Sequence, residues 1–140
     1  MTPKTLCEMM AVDKQLTVDG VAEAAKQGYR SIINNRPDGE EPGQPTSAEI
    51  GAAARAAGME YVHIPVVPGQ IADDQVAAFE KALEVLPKPI LGYCKSGMRA
   101  STLWALCRCC DLGADAAIDS AAKAGYDLAP LRPRLEARAG

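Results

Sequence analysis

Cys94, Gly97 and Arg99 fall within one short stretch, Ile90-Leu91-Gly92-Tyr93-Cys94-Lys95-Ser96-Gly97-Met98-Arg99-Ala100-Ser101. An apolar run delivers a cysteine, a tight turn follows, and an arginine opens a helical pattern. The chemistry this order suits is attack on, or sulfur exchange with, an anion. A thiol is a nucleophile only as the thiolate, so its surroundings must favour the charged form. Three features of the stretch would do so: the positive end of the following helix, converging backbone N–H groups from Lys95 to Arg99, and the Arg99 guanidinium. Gly97 leaves out a side chain where the backbone must bend and an anion must approach. Arg99 can grip two oxygens at once. Lys95, Ser96, Gly97 and Met98 would line the cup, and Ser101 would donate its hydroxyl to the sulfur or serve only as helix-start chemistry. The arrangement requires amide hydrogens turned inward at an accessible, ionised sulfur; the bland alternative is a small buried hydrophobe at a strand end.

Other residues are weaker candidates. Arg36 follows a buried strand on its carboxyl side, where parallel sheets gather their sites. It would supply a second positive charge, or else pair with Asp38, Glu40 or Glu41. Gln70 follows another strand and would line the same cleft. His63, the one histidine, reads as packed or hydrogen-bonded. Cys107, Cys109 and Cys110 lack the spacing of a metal site. Cys107 and Cys110 share a face with Leu103 and Leu106 and read as buried, with Cys109 pointing elsewhere. Trp104 reads as core. Neither a metal nor an organic cofactor is called for.

These residues need a scaffold, and the pattern predicts an α/β domain with a mostly parallel sheet. An edge strand is expected over Leu6 to Val12. Thr17 caps a helix over Val18 to Gln27, and a buried strand runs from Tyr29 to Ile33. A long polar loop extends from Asn34 to Pro45. Thr46 and Glu49 have capping-box spacing for a helix to about Ala57. Strands at Tyr61 to Val66 and Ile90 to Tyr93 bracket a helix over Ala72 to Leu86. Helices over Arg99 to Asp111, Ala114 to Ala124 and Pro130 to Ala137 complete the pattern.

The 140 residues are 48% hydrophobic and 24% charged, with net charge −3. A single domain over 1–140 with an aliphatic core fits these values. No basic stripe interleaved with aromatics argues for nucleic acid, and no apolar run is long enough to span a bilayer. The start, Met1 to Cys7, lacks a signal-peptide core, so the expected compartment is the cytoplasm, with five reduced cysteines.

The loop from Cys94 to Ser101 resembles that of cysteine phosphatases, and more closely that of rhodanese-type sulfurtransferases. With Ile32 to Glu40, His63 to Ile71 and Tyr93 to Leu106, nearly the whole chain is similar to the phosphatase-like domain family named after beta-lactamase hydrolase-like proteins. That resemblance implies a three-layer fold of the protein-tyrosine and dual-specificity phosphatase type, and a bacterial setting beside sulfide-oxidising enzymes. The chain departs from dual-specificity phosphatases in three ways. Four residues, Lys95 to Met98, separate cysteine from arginine, where that group has five. Tyr93 replaces a histidine, and Val67 and Pro68 stand where the general-acid aspartate belongs. Asp38, Asp73 and Asp74 are the remaining candidate acids. Sulfur transfer through a Cys94 persulfide, from thiosulfate or a small persulfide, is therefore the first expectation, since its leaving group needs no proton. Phosphatase chemistry through a phospho-cysteine is the alternative, and a non-catalytic anion or redox sensor the third. In each case the partner is a small anionic or persulfide substrate.

Overall fold

The computed structural model describes residues 3–139. Met1, Thr2 and Gly140, part of the single-domain expectation, lie outside them. Five strands, β1 (Lys4–Cys7), β2 (Met10–Asp13), β3 (Ser31–Asn34), β4 (Glu60–His63) and β5 (Ile90–Tyr93), form one sheet in the order β1-β2-β5-β3-β4. All neighbours run parallel except β1 against β2. The helices are α1 (Val18–Lys26), α2 (Ser47–Ala56), α3 (Asp73–Val85), α4 (Met98–Leu112), α5 (Ala114–Lys123) and α6 (Arg132–Ala139). They cover the sheet on both faces, which makes the predicted three-layer α/β architecture.

Strand alternation builds the two cores. On β3 and β5, Ile33 and Ile90 face the layer made by α3, α4, α5 and α6, where Phe79, Leu103 and Trp104 are buried. Ile32, Leu91 and Tyr93 face α1 and α2, with Val21, Ile50 and Ala54. Gly92 falls on the α4 side. A Cβ there would stand 2.6 Å from Met10 Cε and 3.6 Å from Ala100 Cβ. The missing side chain lets α4 lie close against β5, and so sets how tightly the Cys94 turn is drawn.

Two local signals are realised as expected. Thr17 accepts the Gly20 amide at 2.9 Å. Thr46 and Glu49 form both halves of a capping box. The start of the chain differs from expectation. Leu6 to Val12 is a hairpin rather than one edge strand: β1 holds the edge, and β2, fully buried, lies between β1 and β5. The two-residue turn between β1 and β2, Glu8-Met9, is made without glycine, proline or asparagine. Pro65 stops β4 at His63, because a proline cannot donate to the ladder. The last helix starts at Arg132, after a 3₁₀ turn over Ala129–Leu131. No helix among the described residues is long and apolar enough to cross a membrane.

Candidate active site

The carboxyl ends of β2, β3 and β5 lie side by side, and each feeds one loop into a common site. After β5, Cys94 turns the chain and α4 begins at Met98. The Lys95 carbonyl is tied across to the segment after β2 by the Gln15 amide, at 3.2 Å. Gly97 is the N-cap of α4 with φ +98°, a left-handed conformation that glycine adopts freely. Its amide points at the nucleophile, with N to Cys94 Sγ 3.1 Å.

The cup is tighter than the spacing suggests. Among the described residues, Gly97 supplies the amide that reaches Sγ; the Met98 amide donates instead to Ser96 Oγ at 3.3 Å. Cys94 is fully buried, so the expectation of an accessible sulfur is corrected: the four-residue turn closes directly over its own cysteine. Ser101 is corrected as well. Its hydroxyl donates to the Gly97 carbonyl at 2.8 Å, one helical turn back, and not to the sulfur. Lys95, Ser96, Met98 and Arg99 instead line a recess of about 460 Å³ whose far wall includes Pro68, Ile71 and Arg134. Gln70 is exposed and is not among the residues lining that recess.

Arg99 faces inward at 8% exposure. Its Nη1 donates to Glu40 Oε2 at 2.8 Å and to the Val66 carbonyl at 2.8 Å, and its Nη2 donates to Glu40 Oε1 at 2.9 Å. A guanidinium has five N–H groups, and these bonds use three. Among the described residues nothing accepts from Nε or from the second Nη2 hydrogen. Those two form an unclaimed side-on fork of the kind that holds two oxygens of one anion.

Glu40, from the long loop after β3, is the residue that fixes Arg99. It also takes a 2.7 Å bond from Arg36 Nε. Hydrogen bonds from Arg99 and then Arg36 hold its carboxyl below the ordinary glutamate range, against the opposing effect of burial. Arg36 is therefore paired, in line with the alternative reading for it: besides Glu40 it reaches Gln15 Oε1 at 3.0 Å and Glu41 Oε1 at 3.1 Å. It is 1% exposed and braces Glu40 instead of meeting solvent. His63 donates from Nε2 to the Arg36 carbonyl at 2.8 Å, a structural role as expected.

The three candidate acids are engaged elsewhere. Asp38 Oδ1 accepts the Ser47 amide at 2.7 Å, at the start of α2. Asp73 pairs with Arg134 and Arg138 of α6 at 3.5 and 3.8 Å. Asp74 accepts the Gln75 amide at 3.0 Å. The cysteines of α4 are also redistributed. Cys107 and Cys109 are buried and Cys110 is exposed, the reverse of the expectation for the last two. The helix is covered by α3, α5 and α6, so a single apolar face does not describe it. Burial pushes the Cys107 thiol up to about 12, which leaves it unreactive. No group of three or more His, Cys, Asp or Glu side chains among the described residues converges to hold a metal ion.

Two contributions escaped the sequence. Glu40 was expected as a partner of Arg36, but its grip on Arg99 was not. Tyr126 carried no signal. It follows α5, and its hydroxyl donates to the Ser96 carbonyl at 3.1 Å. A Cβ built on Gly97 would collide with that hydroxyl. Gly97→Ala should therefore combine left-handed strain with this clash and lower stability by about 2–4 kcal/mol, read by urea denaturation. Gly125→Ala has the same sign of φ but open space around it, and should cost about 1 kcal/mol.

Known proteins frame this geometry. A "Beta-lactamase hydrolase-like protein" from Xylella fastidiosa is 44% identical over 99 residues, covering 71% of this chain and 23% of that protein. A relative of the same name from Agrobacterium fabrum is 40% identical over the same length. The chain thus spans about a quarter of the length of these relatives. A structure from Neisseria meningitidis, provisionally named a phosphatase, superposes with TM-score 0.86 at 34% identity and covers 96% of both chains. Tk-PTP in its active form superposes with TM-score 0.76 at 16% identity, over 98% of this chain and 95% of that one; at that identity the likeness is of fold alone, the protein-tyrosine phosphatase type. The family described as "Beta-lactamase hydrolase-like protein, phosphatase-like domain" matches residues 3–111. With its cysteine and arginine set on one turn at the end of β5, the chain belongs to that family.

Proposed function

We propose that this chain is a cysteine-dependent phosphatase for monoesters with acidic leaving groups, such as aryl phosphates. The observation that carries the reading is the side-on fork of Arg99, held by Glu40 at the start of α4, five residues after a sulfur that already receives the Gly97 amide. Two phosphoryl oxygens fit that fork, and the recess of about 460 Å³ beyond it receives the rest of the ester. The Cys94 thiolate attacks phosphorus; an S–P bond forms as the bond to the leaving oxygen breaks. Water then hydrolyses the phospho-cysteine, releasing phosphate and restoring the thiolate. Arg99 offsets the charge on the transferred group in both steps. Because Cys94 is buried, the turn must open for the ester to reach Sγ.

Neither the three expected acids nor Glu40 is posted to protonate the departing oxygen. Asp38, Asp73 and Asp74 are bound elsewhere, and Glu40 is kept ionised by two guanidinium groups. General acid catalysis is worth about 10²–10⁴-fold, so its absence confines good rates to leaving groups that depart as anions. Phenyl esters should therefore react faster than alkyl esters.

A second reading, sulfur transfer through a Cys94 persulfide, keeps support from the four-residue spacing and from the same lack of an acid. The family likeness and the phosphatase-type neighbours favour the first. Acid-quenched protein exposed to an aryl phosphate, and separately to thiosulfate, separates them by mass spectrometry of the Cys94 peptide. A gain of one phosphoryl group is expected, with kcat falling steeply as the leaving phenol becomes less acidic. A gain of one sulfur atom without phosphoryl transfer would overturn the phosphatase reading.

A further inference from the structure

We infer that Tyr126 is a positioning residue for the Cys94 thiolate: its hydroxyl fixes the Ser96–Gly97 peptide so that the Gly97 amide faces the sulfur. This rests on the same loop as the proposed reaction, but concerns how the nucleophile is charged rather than what it attacks.

The argument is one of peptide geometry. A trans peptide unit is planar, and its C=O and N–H point in opposite directions. The Ser96 carbonyl and the Gly97 amide belong to one such unit. Tyr126 grips the oxygen end at 3.1 Å and Cys94 Sγ receives the hydrogen end at 3.1 Å. Holding one end outward aims the other inward. Without that grip the unit sits in a glycine-containing turn that has wide rotational freedom, and the amide has no reason to stay on the sulfur. The bond to the carbonyl also polarises the unit and strengthens the amide as a donor.

Tyr126 is well placed for the task. Its own amide donates to the Ala121 carbonyl at 2.9 Å, anchoring it to the end of α5. Its ring packs on the core beneath α4 and α5. Gly97 lacks the Cβ that would push the phenol off. The ionisable neighbours of Tyr126 are Cys94 and Asp13; Lys95 and Arg99 flank Cys94 on the turn itself. Burial, then the negative charges of Cys94 and Asp13, raise the phenol above its ordinary range, which keeps it a donor whenever the thiolate is formed.

The test is an ultraviolet thiolate titration of the wild type and of Tyr126→Phe, each referenced to the same protein carrying Cys94→Ser. The loss here is of orientation rather than of the amide itself, so the Cys94 midpoint should rise by about one pH unit. The acid limb of kcat/KM should move by the same amount. An unchanged midpoint overturns the inference. So does a shift that appears only together with loss of the helical signal, which would mark Tyr126 as packing. The titration needs no turnover, so a protein without phosphatase activity would defeat the proposed function and still decide this point.

Discussion

Cys94→Ser should abolish hydrolysis of an aryl phosphate while leaving the fold intact. The loss expected is on the order of 10⁴–10⁶ in kcat, the scale seen when a covalent nucleophile is removed and only binding groups remain. A serine hydroxyl is nearly isosteric with the thiol and still accepts the Gly97 amide. It does not ionise near neutral pH, and neither the α4 terminus nor one amide supplies the tenfold stabilisation per pH unit, over many units, needed to change that. Thermal unfolding should move little, because Cys94 exchanges one small buried group for another with its hydrogen-bond partner retained. The variant should also still bind inorganic phosphate, since Arg99 and its fork are untouched. Turnover within tenfold of wild type would remove Cys94 from the chemistry. Loss of both turnover and phosphate binding would point to a collapsed turn instead.

What the sequence revealed and what it hid follow a physical division. Features set within a few residues were legible. The caps at Thr17 and Thr46 are local hydrogen bonds, and β5 ends where the apolar run meets Cys94. The α/β order and the position of Cys94, Gly97 and Arg99 on one turn came from the same local reading. The β1–β2 hairpin was hidden because Glu8-Met9 carries no turn chemistry. The faces of α4 were hidden because periodicity distinguishes a wet side from a dry one, and this helix has several dry sides.

The site divides in the same way. Distance along the chain from Glu40 to Arg99, and from Ser96 to Tyr126, exceeds anything a local pattern can report; both pairings depend on how two loops come to rest over the sheet. The expected acids illustrate the converse. Asp73 and Asp74 are candidate acids by type alone, and partners outside the site engage them: Asp73 pairs with arginines of α6, and Asp74 accepts a backbone amide at the start of α3. Ser101 likewise had a backbone carbonyl one turn away, a nearer acceptor than the sulfur.

Glu40→Gln should lower both stability and activity, and the two effects should share one pH dependence. The amide keeps the shape of the carboxylate but presents one acceptor oxygen and no charge. Arg99 loses half of its end-on fork, and Arg36 keeps only Glu41 and Gln15. The Glu40 side chain is 22% exposed, so water softens the loss; about 2 kcal/mol is expected at neutral pH, below the range for breaking a fully buried pair. That corresponds to roughly 4–8 °C in Tm for a chain of this size. An Arg99 free to tilt by an ångström or so misplaces its other fork, which should cost about 10²-fold in kcat/KM. The sign of the pH effect follows from the depressed carboxyl. The unfolded chain binds the proton first, so the carboxylate's contribution is fully present above the ordinary glutamate value of 4.5 and is lost as pH falls through the lower folded value. Wild-type Tm should therefore drop across that acid window, and the difference from Glu40→Gln should shrink as it does. Equal Tm values at neutral pH with equal kcat/KM would show that Arg99 finds its orientation without Glu40, through Val66 and the packing of α4 alone.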